Sequence, residues 1–164
     1  RMNDIEIRAA RPDDANAVEE YHNECFLKTY SAQLHAGEFH APDRDGTRQQ
    51  LLGWFQPGSD FQTWVTVVDD RPVGHFTLYR HHLVHLFVEP ERHGTGLGRT
   101  LLERAEATLA AAGHKELELH TRVENLSAIA FYKKAGWNMT DELITTAEHG
   151  IRYTEHIMTK RLPR

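Results

Sequence analysis

The sequence predicts an α/β layered domain built on a mixed sheet, and three observations carry that reading. Apolar alternation with a period of two marks the first residues, dominates 61 to 88, and returns near 117 and after 138. Helical periodicity fills the intervening segments, most clearly from 96 to 112. The strands between 61 and 88 follow one another through short turns and are therefore antiparallel, whereas the strand near 117 comes after a long helix.

Taken in order, Ile5 and Ile7 alternate onto one face of a short first strand. Arg11-Pro12-Asp13-Asp14 opens a helix, because Pro suits the entry and either aspartate caps the amides of the first turn. That helix spans 13–28 and buries Ala17, Val18, Tyr21, Cys25 and Phe26. The stretch 30–44 lacks periodicity and is broken by Gly37 and Pro42. A second helix covers 47–55 and stops at Pro57-Gly58. Strands at 64–68 and 73–79 form a hairpin through Asp69-Asp70-Arg71-Pro72, and a third at 82–88 ends at Glu89-Pro90. The helix at 96–112 lines up Leu97, Leu101, Leu102, Ala105 and Leu109, with Gly113 as its stop. A strand at 117–121, a helix at 125–135 and a closing hairpin at 138–146 and 151–159 complete the chain.

The 164 residues suit one domain, expected over residues 2–162 with Arg1 ahead of Met2 left outside it. A formal net charge of -5 lacks the basic footprint of a nucleic-acid binder. The single cysteine, Cys25, allows no internal disulfide and suits a reducing compartment. No apolar run approaches the roughly 20 residues of a membrane helix, so a cytoplasmic protein without a membrane partner is expected.

The densest chemical signal is HGTGLG, with glycines at 94, 96 and 98 between a strand and a helix. Glycine lets backbone amides approach a phosphate closely, and the helix N-terminus adds unpaired N–H groups and partial positive charge. The segment lacks the Gly-Lys-Ser/Thr of a nucleotide P-loop, reading Gly98-Arg99-Thr100 instead. It also lacks GxGxxG spacing, and antiparallel strands precede it, which disfavours a dinucleotide turn. Alone, it supports an anion site.

Residues 88–102, VEPERHGTGLGRTLL, resemble the cofactor segment of the GCN5-related N-acetyltransferase (GNAT) superfamily, Arg/Gln-x-x-Gly-x-Gly/Ala after a V-x-P strand end. His93 stands where Arg or Gln is usual. Residues 125–137, NLSAIAFYKKAGW, resemble a second segment of that superfamily. The resemblance implies a mixed, mostly antiparallel sheet of six to seven strands with helices on both faces. It implies acetyl-CoA as cosubstrate, with the pantetheine arm in a gap between the fourth and fifth strands. Phe87, Val88, His93, Gly94, Thr95, Gly96, Leu97, Gly98, Arg99, Thr100, Asn125 and Tyr132 would hold it. Tyr132 is the implied general acid for the departing thiolate. Homodimers are common in that superfamily.

An ammonium has no lone pair, so the implied reaction, direct attack of a primary amine on the acetyl carbonyl, needs a base. His82 and His85 are the candidates on the fourth strand, with Glu89 a weaker third, and a bulge implied in this strand leaves their facing open. No metal is expected, because His81, His82 and His85 lack helical i, i+4 spacing and a nearby acidic partner. The acceptor, a small-molecule or peptide amine, is expected between the N-terminal helices and the last hairpin. Phe26, Tyr30, Phe39, Trp54 and Tyr153 would line its site, and Glu24 or Glu38 would attract a cation. Two other functions fit the same residues: a cofactor-binding sensor or partner subunit without turnover, and an acyltransferase using another acyl-CoA or an oxygen acceptor.

Overall fold

The computed structural model describes residues 5–148 and 151–163. Seven strands form one sheet: β1 Glu6–Ala9, β2 Gln62–Val68, β3 Arg71–Tyr79, β4 His82–Val88, β5 Glu116–Arg122, β6 Asn138–Glu148 and β7 Ile151–Arg161. Five α-helices accompany them among the described residues: α1 Ala15–Thr29, α2 Ser31–His35, α3 Arg44–Trp54, α4 Leu97–Ala111 and α5 Leu126–Lys134. The strand order is β1-β2-β3-β4-β5-β7-β6, and every pairing is antiparallel except β4–β5. The mixed, mostly antiparallel sheet expected from the sequence is thus present with seven strands.

Two apolar clusters sit on opposite faces of this sheet. The predicted stripe of α4 (Leu97, Leu101, Leu102, Ala105 and Leu109) is buried in one of them, with Phe76, Leu117, Trp137 and Met158. Val18 and Tyr21 of α1 and Leu51 of α3 form the other, against Val65 and Val67 of β2. Helices therefore cover both faces, and β3 between them is buried along nearly its whole length.

Polar contacts set the helix positions. Glu19 of α1 is 1% exposed and takes both oxygens to Arg44 at 2.9 Å, with Arg48 at 3.1 Å from one of them. This pins α3 across α1. Asp43 accepts from the Gly46 amide at 3.0 Å and so caps α3, which begins three residues before the expected Thr47. The apparently irregular stretch after Tyr30 contains the short α2. Asp69 and Asp70, at φ 51° and 61°, make the left-handed two-residue turn that matches the twist of a β2–β3 hairpin. The predicted turn at Glu148-His149-Gly150 falls largely outside the described residues. Among the described residues, no helix is long and apolar enough to cross a membrane.

Candidate active site

The one parallel pairing among the described residues is short. β4 and β5 pair at His82 with Glu118 and at Leu83 with Leu119, and no ladder continues beyond. At the same point β4 carries an extra residue opposite β3, because Thr77 pairs with His85 while Leu78 pairs with Leu83. The bulge at Val84 breaks the regular alternation and turns β4 away from β5. The splay thus begins before the expected Phe87–Val88. A cavity of about 280 Å³ opens in the gap, walled by Val84 to Phe87 on one side and by His120 to Arg122 on the other. A larger cavity of about 820 Å³ lies between α1, α3 and the sheet. The two meet at six shared residues: His22, Phe26, Val84, His85, Arg122 and Tyr153.

The glycine loop lies beyond the end of β4. Buried Glu89 is held by Arg71 at 2.8 Å and Arg92 at 3.0 Å, so it braces the loop and is not free as a base. His93 Nε2 lies 2.7 Å from the Val88 carbonyl, which also accepts from Cys25 Sγ at 3.2 Å. Val88 is buried and lines neither cavity, whereas Phe87 lines the smaller one. Burial pushes the Cys25 thiol up to about 12, so it stays protonated. Gly94 and Gly96 have φ 78° and 90°, a left-handed backbone that side chains disfavour. α4 starts at Leu97, where the first-turn amides of Gly98 and Arg99 have no intrahelical acceptor. Gly98 is different from its neighbours: a Cβ there would meet Phe131 at no closer than 3.7 Å. Neither φ nor internal packing requires glycine at 98, although glycine in a helix costs about 1 kcal/mol relative to alanine. Thr95 and Thr100 hydroxyls bond back to the Arg92 and Gly96 carbonyls, at 2.6 and 3.2 Å.

α5 brings the second segment to the smaller cavity. Asn125 caps it by accepting from the Ala128 amide at 3.2 Å, and Lys160 satisfies its last turn at the Ala135 carbonyl at 2.8 Å. Lys160 also pairs with Glu106 of α4 at 2.7 Å, which fixes α5 against α4. Tyr132 is thereby held in the cavity wall, its ring edge-on to Phe131 and Trp137. Burial raises the Tyr132 phenol above its ordinary range, so it keeps its proton.

The two histidine candidates separate clearly. His82 Nε2 lies 3.0 Å from Glu118 Oε2 and lines neither cavity. His85 lines both. Its Nδ1 is 3.2 Å from His75 Nε2, and His75 Nδ1 is 2.6 Å from the Tyr21 hydroxyl, a hydrogen-bonded chain running into the core. The His85 ring stacks on His22 and meets the Trp54 ring edge-on at 4.8 Å. Burial lowers all three imidazoles: His85 well below the ordinary range, His22 to about 4 and His75 to about 3. They are neutral at pH 7.

Of the expected acceptor residues, Phe26, Phe39, Trp54 and Tyr153 line the larger cavity, while Tyr30 is buried beside the smaller one. Glu24 and Glu38 are exposed and line neither. The sequence reading missed Arg122. Its guanidinium lies 4.0 Å from the Tyr153 ring centre and 5.2 to 5.3 Å from those of Phe26, Tyr30 and Phe39. The available signal was the polar set Glu118, His120 and Arg122, which alternates with buried Leu117, Leu119 and Thr121 along β5. His22 and His75 carried no such signal, because each is placed by a neighbouring element.

Known proteins show where this architecture recurs. The chain is 37% identical over 93 residues to a peptidyl-lysine N-acetyltransferase, YjaB, of Salmonella typhimurium, a stretch that covers 56% of this chain and 59% of that protein. The Escherichia coli protein of that name is 40% identical over 78 residues, or 47% of this chain and half of the relative. The solution structure of apo YjaB from E. coli superposes with a TM-score of 0.66 at 27% identity, over 94% of this chain and 96% of that one. The N-acetyltransferase PaiA of Thermoplasma acidophilum, solved in complex with coenzyme A, shares the fold at TM-score 0.77 and 23% identity, over 96% and 99% of the two chains. The pattern of the Acetyltransferase (GNAT) family matches residues 16–137, which includes α1 from its second residue on, the splayed strands, the glycine loop and α5. The chain belongs to the GNAT family of acetyltransferases.

Proposed function

We propose that this protein moves an acetyl group from acetyl-CoA to the primary amine of a small molecule or peptide. The observation that carries the reading is the meeting of two cavities at His85, one running to Tyr132 and the other opening under α3. Direct transfer requires two reactants to share one point. The smaller cavity fits the arm of coenzyme A by its position in the splay. The loop fits the pyrophosphate through the first-turn amides at the start of α4 and through Gly98, where a Cβ would meet no described residue closer than 3.7 Å. Bound there, acetyl-CoA supplies an activated acetyl thioester.

The chain's residues then have distinct tasks. The acceptor attacks as its neutral fraction, the ammonium having first lost one proton to solvent water, and His85 takes the second proton from the nitrogen as the C–N bond forms and the C–S bond breaks. That nitrogen becomes far more acidic than a free ammonium, so an imidazole of lowered basicity suffices. His75 and Tyr21 hold the ring orientation from behind through His85 Nδ1, which leaves Nε2 for the cavity. Tyr132, protonated at all physiological pH, donates to the departing sulfur. Phe26, Phe39, Trp54 and Tyr153 wall the larger cavity, with α3 on one side, and give the acceptor an apolar surface beside His85. The peptidyl-lysine activity in the YjaB relatives' names supports a lysine side chain as the acceptor.

The test is thiol release from acetyl-CoA across a panel of lysine peptides and small amines, with wild type and Tyr132→Phe. Amine-dependent release that falls at least about a hundredfold in the variant supports the reading. Coenzyme A binding without release from any amine would instead assign a sensor without turnover, and preference for a longer acyl-CoA would assign a different acyl donor.

A further inference from the structure

Where β4 and β5 last touch, three imidazoles converge on one carboxylate. Glu118 Oε2 lies 3.0 Å from His82 Nε2 and 2.7 Å from His120 Nε2, and Glu118 Oε1 lies 4.0 Å from His81 Nε2. The nearest ligand atoms of His81, His82 and Glu118 all fall within 4.8 Å of one another. None of these groups is needed for the reaction proposed above. We propose that His81, His82 and Glu118, joined by His120, form a binding site for a divalent transition-metal ion of the zinc type.

The backbone prepares the site. His82 and Glu118 are direct partners in the parallel pairing, and the Glu118 amide donates to the His81 carbonyl at 3.1 Å. Two donors, His82 and Glu118, are therefore anchored on hydrogen-bonded strands, the third, His81, sits on the turn residue just before β4, and His120 lies on the same face of β5 two residues after Glu118. A tetrahedral ion with bonds of about 2.0–2.2 Å holds its donors ~3.3 Å apart, so rotation of the His81 and His120 side chains closes the set. All four side chains are partly exposed, between 26% and 43%, which leaves an ion a way in. Imidazoles with one carboxylate suit Zn²⁺, Ni²⁺ or Cu²⁺ and offer little to Mg²⁺ or Ca²⁺. The acidic partner absent from the neighbourhood of His81 and His82 in the sequence is supplied across the sheet by Glu118. An ion there ties β4 to β5 at the root of the splay, and through His120 it borders the smaller cavity.

Isothermal titration of ZnCl₂ into tag-free, chelator-stripped protein tests the proposal, alongside His82→Ala, Glu118→Gln and His35→Ala. His35 ends α2, is not one of the clustered residues, and controls for binding by surface histidines. The expected result is one Zn²⁺ per chain, at least tenfold weaker binding in His82→Ala and Glu118→Gln, and no change in His35→Ala. Zinc should also raise the unfolding midpoint of wild type and not of His82→Ala. If Glu118→Gln fails to fold, His81→Ala takes its place, since that side chain is the most exposed of the four. Failure to bind Zn²⁺, or binding that survives His82→Ala unchanged, overturns the proposal.

Discussion

At the scale of single residues, Gly98 and Tyr132 make the sharpest claims. Gly98 has no internal reason to be glycine, so Gly98→Ala leaves the fold intact and stabilises it by up to about 1 kcal/mol through helix propensity. If a pyrophosphate lies against that turn, the added methyl weakens coenzyme A binding at least tenfold. Titration calorimetry and thermal unfolding on one variant read both effects, and unchanged affinity would place the anion elsewhere. Tyr132→Phe is expected to lower kcat with little change in coenzyme A affinity, because the ring remains as wall and only the proton is lost. Much of this scale was legible in the sequence. The loop glycines and Tyr132 stand in contiguous segments whose chemistry is local. The histidines were not separable, because the bulge at Val84 breaks the alternation that would have shown which of them faces the cleft.

At the scale of elements, the placement of α3 decides the larger cavity, and Glu19 decides the placement of α3. Its carboxylate is buried, and it bonds to two arginines that solvent still reaches. Glu19→Gln removes the charge from those hydrogen bonds and is expected to cost about 2 kcal/mol in urea unfolding. It should also raise KM for the acceptor more than it lowers kcat, since α3 supplies Trp54 and Gln50 to that cavity. An unchanged unfolding midpoint would contradict the account. The helices with uninterrupted stripes, α1 and α4, were legible to within two residues. α3 was placed three residues short, because its cap, Asp43, is separated from the apolar stripe by a glycine in the first turn. Arg122 was missed because its neighbours come from four different segments: its cage is assembled by α1, the residue ending α1, the loop after α2, and β7.

At the scale of the whole molecule, the histidines of the cleft and the core behind it tie stability to pH. His22, His75 and His85 each titrate lower in the folded protein than in the unfolded chain, chiefly because burial penalises the charged imidazole. The unfolded chain takes up protons below pH 6.5 that the folded protein refuses. Stability is therefore full above pH 6.5 and falls as pH drops from there toward 4. Three such groups together give a slope of about 3 kcal/mol per pH unit between pH 6 and 5. Urea midpoints at pH 7 and pH 5 measure it, and equal midpoints would show that these rings are not held neutral. The layered fold was legible from periodicity and element order. The meeting of the two cavities was not, because it depends on where a short parallel ladder ends.

That meeting point is the central claim, and His85 occupies it. The direct measurement is the single-turnover rate of acetyl transfer by His85→Gln, with coenzyme A binding measured on the same sample. The account predicts a rate at least about a hundredfold below wild type with coenzyme A affinity unchanged. A rate within tenfold of wild type, with the loss appearing in His82→Ala instead, would contradict it.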